Sequence, residues 1–156
     1  MIKDKEGNTL MESTEVLRRW KEYIKELYGD DSRGGRLLWD GEMSGPPILR
    51  SEIENTVKRM KSGKAAGEDG VVVEMIEASG EFIIGKITNI ANRIYNEGYI
   101  PEAMRESVFV TIPKKQGAID CEKHRTISIM SQIGKIVLRV IRTRLKRKIE
   151  ENLTQE

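Results

Sequence analysis

Three groups of residues have types and spacings that could do chemistry, and all are cationic or glycine-rich. Lys114 and Lys115 follow the apolar run "SVFVTIP", and Arg125 opens the run "RTISIM". If these runs pair as a hairpin, three cations gather at one end. Such a cluster suits a triphosphate or a nucleic-acid backbone, because lysine acts as a point charge on phosphate and arginine grips it bidentately. The alternative is a wet hairpin end where lysine costs nothing. The second group is the joint "GKAAGEDG", which holds Gly63, Lys64, Gly67 and Gly70. It is no nucleoside-triphosphate loop, since Lys64 follows the first glycine directly and no Gly-Lys-Ser/Thr opens a helix. Its glycines are expected to supply positive φ and close backbone approach.

The third group is a basic run of seven cations in fourteen positions: Lys135, Arg139, Arg142, Arg144, Lys146, Arg147 and Lys148. They flank an apolar seam, so they cover a solvent face that fits duplex phosphates, a membrane surface or another protein. The run has no tryptophan or phenylalanine, which argues against the membrane. Residues 101–156 hold 12 Lys/Arg against 7 Asp/Glu, whereas residues 1–100 hold 15 against 18. A basic end favours a polyanion partner.

Other chemistries are excluded by residue type. A single histidine, His124, makes no His-rich metal site, and one cysteine, Cys121, forms no internal disulfide and no thiolate metal site by itself. There is neither an "HExxH" nor a nucleophile elbow. No apolar run approaches the ~18 residues of a membrane span. The start "MIKDKEGNTL" has no apolar signal-peptide core. The expectation is an intracellular chain, cytoplasmic or nuclear, with no membrane partner.

The elements that must position these residues can be read in order. "MIKDKEGNTLM" suggests a hairpin or turn about Glu6-Gly7-Asn8. Residues 13–28 place Val16, Trp20, Ile24 and Leu27 on one helical face, with Ser13 or Thr14 as N-cap and Gly29 as stop. Residues 29–50 hold five glycines, Pro46 and Pro47, a linker composition with Leu37, Leu38, Trp39 and Ile48 as anchors. A helix over 51–62 opens with Ser51 and Glu54 in capping-box spacing. "VVVEMIEAS" is a short helix or an extended entry. A helix over 81–97 carries Phe82, Ile83, Ile87, Ile90, Ala91 and Ile94 and ends at Gly98, and Pro101 opens a small helix. Two β-branched runs follow, then a long helix with Ile133, Val137, Val140 or Ile141, Leu145 and Ile149 along its seam. The fold class is mostly α with one small antiparallel β-pair near 107–129 (α+β). Residues 1–50 are expected as a helix plus linker and 51–156 as one region, with the last helix packed on the β-pair and on helices 51–62 and 81–97.

In that order, "MKSGKAAGEDGV", "NRIYNEGYIPEAMRESVFVTIPKK", "DCEKHRTISI" and "GKIVLRVIRTRLK" form a pattern. It resembles the N-terminal fingers region of reverse transcriptases from non-LTR (LINE-like) retrotransposons. The matches run from about residue 51 to 153, and "VLRRWKEYIKELY" resembles the segment preceding the polymerase. The resemblance implies an RNA-directed DNA polymerase ancestry. It implies that Lys114 or Lys115 and Arg125 meet nucleotide phosphates. It implies further that Gly63, Lys64, Gly67 and Gly70 form a template-facing turn, and that Lys135, Arg139, Arg142 and Arg144 face template or primer backbone.

There are departures. Ala66 and Glu68 stand for two prolines, His124 for tyrosine, and Thr126 for proline or glycine. Two-metal polymerisation needs carboxylates on adjacent strands. The six aspartates are Asp4, Asp30, Asp31, Asp40, Asp69 and Asp120, and none lies in an apolar strand before an Ala-Asp-Asp signature. The expectation is therefore a fingers-like fragment without palm, inactive alone. It has no catalytic residue, no metal site and no cofactor, Mg²⁺ belonging to the complete family enzyme. Its expected partners are RNA or DNA, held weakly and salt-sensitively, and a second copy through the face a palm would cover. The competing expectation is a small helical protein-interaction module of retroelement origin, without nucleic-acid binding.

Overall fold

The computed structural model describes residues 1–29, 45–98 and 100–153. The linker expected over 29–50, with Leu37, Leu38 and Trp39, lies mostly outside the described residues. The chain forms two compact units, Met1–Glu42 with Val110–Ile127, and Met43–Phe109 with Ser128–Glu156.

In the first unit, β1 (Ile2–Lys3) and β2 (Thr9–Leu10) form an antiparallel hairpin in which Ile2 faces Leu10 and Lys3 faces Thr9. Gly7 turns it with φ 91°. Asp4 accepts from the Asn8 backbone N–H at 2.7 Å and from its side-chain amide at 2.9 Å. Helix α1 (Ser13–Tyr28) follows. Its N-cap is Glu12, with no side-chain capping bond, in place of Ser13 or Thr14. Val16, Trp20 and Ile24 are half-buried, while Leu27 points to solvent.

The second unit holds the main core. An extended entry through Ile48 leads into α2 (Arg50–Lys58), followed by α3 (Val73–Ala78), α4 (Gly80–Glu97) and α5 (Glu102–Arg105). The reciprocal half of a capping box starts α2. The Leu49 N–H donates to Glu52 at 2.8 Å, so the box sits two residues before the Ser51–Glu54 expectation. Helix α2 ends at Lys58, short of residue 62. In α4, Ile84, Ile87, Ala91 and Ile94 recur at helical spacing and are buried, and Gly98 closes the helix in the left-handed conformation. Phe82 does not join that stripe and is 73% exposed.

Strands β3 (Ser107–Pro113) and β4 (His124–Met130) pair as the expected second-half hairpin, each passing from one unit to the other. There are thus two small antiparallel sheets rather than one. Helix α6 (Gln132–Leu153) packs on α2 and α5. Its Ile136, Val137 and Val140 meet Ile53, Val57, Ile76 and Ile87 in one cluster. Each such fully buried side chain contributes about 1.5–3 kcal/mol. The seam stops there: Leu145 and Ile149 are 58% and 57% exposed, contrary to the expected continuous stripe.

Candidate nucleic-acid interface

In the first unit the β3–β4 hairpin closes with the Lys114 N–H donating to the Lys123 carbonyl at 2.8 Å. Ala118 donates back to the Lys115 carbonyl at 3.2 Å, and Gly117 takes φ 75°, as the third position of a type II turn requires. Lys114, Lys115 and Arg125 are all exposed at this closed end. The Lys114 ammonium also donates to the Glu122 carbonyl at 2.7 Å, a neutral partner that leaves its charge uncancelled. Asp120 pairs with Lys123 at 2.6 Å, and Lys123 holds its carboxyl below the usual range.

His124 opens β4 and is half-buried. Its ring meets Trp20 edge-on at 5.1 Å, and Nδ1 lies 2.9 Å from the Asp120 carbonyl. A carbonyl only accepts, so Nδ1 carries the proton.

In the second unit the glycine joint is clasped from two sides. Glu74 accepts the Gly63 N–H at 2.6 Å, and Gln132, 1% exposed, donates through Nε2 to the Ala65 carbonyl at 2.9 Å. Gly63 and Gly70 have φ 68° and 67°. Gly67 serves close approach instead: a Cβ there would lie 2.8 Å from the Ser131 N and 2.9 Å from its Cα. Lys64 is exposed on the joint. Gln132 escaped the sequence reading because a lone glutamine at a helix start carries no signal of burial.

The joint is thereby fixed to the first turn of α6. From that turn Lys135, Arg139 and Arg142 follow at i, i+4 and i+7, which puts them along one side of the helix. Lys135 is half-buried; Arg139 and Arg142 are exposed, with no ion pair among the described residues. Lys146 and Arg147 pair along the helix with Glu150 and Glu151. Arg144 is a correction. Its guanidinium grips both oxygens of Glu52, Nε at 2.8 Å, and donates to the Pro46 carbonyl and to that of Pro47 at 2.7 Å. It also lies 5.5 Å from the centre of the Tyr95 ring. Its donors are used inside the unit, so it is a structural tie and not a backbone-phosphate contact. What remains is a glycine turn with one lysine, continued by a cationic stripe, an arrangement able to track a chain of phosphates.

No protein-family model matches the chain. The chain is similar to a "Transposon TX1 uncharacterized 149 kDa protein" from Xenopus laevis, 25% identical over 94% of this chain. It is similar to an RNA-directed DNA polymerase from the mobile element jockey of Drosophila funebris, 29% identical over 64% of this chain. A third relative is a retrovirus-related Pol polyprotein from the type-1 retrotransposable element R1 of Bradysia coprophila, 26% identical over 67%. The chain spans 11–12% of the length of these relatives. The family resemblance read from the glycine joint, the hairpin and the basic helix therefore holds: the homologues of this chain are non-LTR retrotransposon proteins.

Proposed function

We propose that this chain carries the fingers-type elements of a retrotransposon reverse transcriptase and holds the phosphate backbone of RNA or DNA, without performing polymerisation itself. The observation that carries this reading is the stripe Lys135, Arg139 and Arg142 running from a glycine joint that Gln132 and Glu74 hold in place. Glu68, at the joint, works against a phosphate there and keeps the affinity modest. The hairpin cations Lys114, Lys115 and Arg125 form a second phosphate-facing set in the other unit.

Catalysis is assigned to no residue, and no metal is placed here. Of the described aspartates, Asp4 is bound by Asn8, Asp69 accepts the Val71 N–H at 3.1 Å, and Asp120 is paired with Lys123. Each is committed to local structure, and two-metal chemistry needs carboxylates that converge on shared ions. The exposed α6 residues Leu138, Leu145, Ile149 and Leu153 offer an apolar strip for self-association, which sedimentation at rising concentration would detect.

The test is binding of a single-stranded RNA at about 100 mM salt. Lys135→Ala, Arg139→Ala and Arg142→Ala together should weaken it about tenfold or more, whereas Lys86→Ala with Arg93→Ala, cations on α4, should not. Equal loss in both variants, or none in either, overturns the reading.

A further inference from the structure

Helix α6 buries no residue beyond Val140, yet its apolar pattern continues. Leu138, Ile141, Leu145 and Ile149 stand at i, i+3, i+7 and i+11, which is one face of a helix. Ile141 is half-buried against the core, while Leu138, Leu145 and Ile149 are exposed. A trough of about 580 Å³ runs along them, and every residue lining it belongs to α6. An exposed apolar face with helical period is what an amphipathic partner helix packs against.

The charges beside the strip decide what kind of helix fits. Arg142 and Lys146 line the trough together with Glu150, and Lys146 takes the Glu150 carboxylate at 3.5 Å. Arg142 has no ion pair among the described residues, so its charge stays uncancelled. At 100° per residue, Lys148 falls on the other side of the strip from Arg142. It too is exposed, with no ion pair among the described residues. Arg144 ties this stretch of helix to Glu52, so the strip is presented on a fixed backbone. The rim is therefore cationic on both sides. A second copy would bring the same cations against these, whereas glutamates flanking a partner's apolar seam would pair with them. The helix has no tryptophan or phenylalanine, so a membrane surface fits it less well.

We propose that the α6 strip is a docking face for an acidic amphipathic helix. The apolar side chains of that helix seat on Leu138, Leu145 and Ile149, and its carboxylates pair with Arg142 and Lys148. The contact covers about four helical turns, which is small for a protein–protein interface, so the complex is transient. Arg142 is shared with the proposed nucleic-acid stripe. The apolar positions, which that stripe does not use, are therefore the ones to vary.

The probe is a synthetic peptide of about three heptads, with leucine at a and d and glutamate at e and g, titrated with the full chain. Saturable binding is expected. Leu145→Gln with Ile149→Gln should weaken it about tenfold or more, and Lys148→Glu by about threefold. The same peptide with lysine at e and g, or with serine at a and d, should not bind. RNA affinity of the Leu145→Gln/Ile149→Gln chain should be unchanged, so failure here is separate from failure of the nucleic-acid reading. No saturable binding, binding undiminished in Leu145→Gln/Ile149→Gln, or equal binding of the lysine peptide overturns the proposal. Self-association that the acidic peptide does not displace assigns the strip to a second copy and overturns it. Binding to phosphatidylserine vesicles in place of the peptide assigns the strip to a membrane and overturns it as well.

Discussion

Arg144 and Arg139 lie five positions apart on one helix, yet their environments give them opposite roles. Arg144 is turned inward, where Glu52 and two proline carbonyls take up its donors, while Arg139 faces solvent with no ion pair among the described residues. Removing one partner of a part-buried, charge-assisted pair strands the other. Arg144→Ala should therefore lower stability by about 2–3 kcal/mol, checked by urea unfolding, with RNA affinity of the folded protein unchanged. The pair also sets a pH dependence. The Arg144 guanidinium holds the Glu52 carboxyl below the ordinary glutamate value. A depressed folded value means the unfolded chain binds the proton more readily. The stabilisation is complete above about pH 5 and fades as the pH falls through the depressed value. Glu52→Gln should flatten stability against pH in that acid range; an unchanged profile would show the pair contributes nothing.

At the scale of elements, the glycine joint separates two demands that look alike in sequence. Gly63 and Gly70 need positive φ but have open space where a Cβ would stand, whereas a Cβ on Gly67 would meet the backbone of Met130 and Ser131. Gly63→Ala should cost about 1–2 kcal/mol of left-handed strain. Gly67→Ala should cost about 1–3 kcal/mol by pushing the joint off α6, and should also speed amide exchange across 63–70. Exchange rates unmoved by Gly67→Ala would show that the close approach does not hold the joint.

Much of this scale was legible beforehand. Gly98, the run Ser107–Pro113 and the periodic isoleucines of α4 are local signals, and they fall where expected. The sequence misled where tertiary burial decides. Leu145 and Ile149 have the right period but stay exposed among the described residues, and Arg144 reads like its neighbours until Glu52 is seen beside it. Gln132 was invisible for the same reason, since a polar residue's burial depends on elements far away in sequence.

At the scale of the whole molecule, two units each present cations, at the β3–β4 hairpin end in one and along α6 in the other. Such surfaces bind through release of counterions, so binding should weaken steeply with salt. The most direct measurement is the slope of log affinity against log salt for single-stranded RNA. It would be taken for the unmodified chain, for Lys114→Ala/Lys115→Ala/Arg125→Ala, and for Lys135→Ala/Arg139→Ala/Arg142→Ala. Each lost contact on a single strand removes about 0.7 from the slope, so each triple variant should flatten it by about 2. Slopes equal to that of the unmodified chain in both variants would contradict the account.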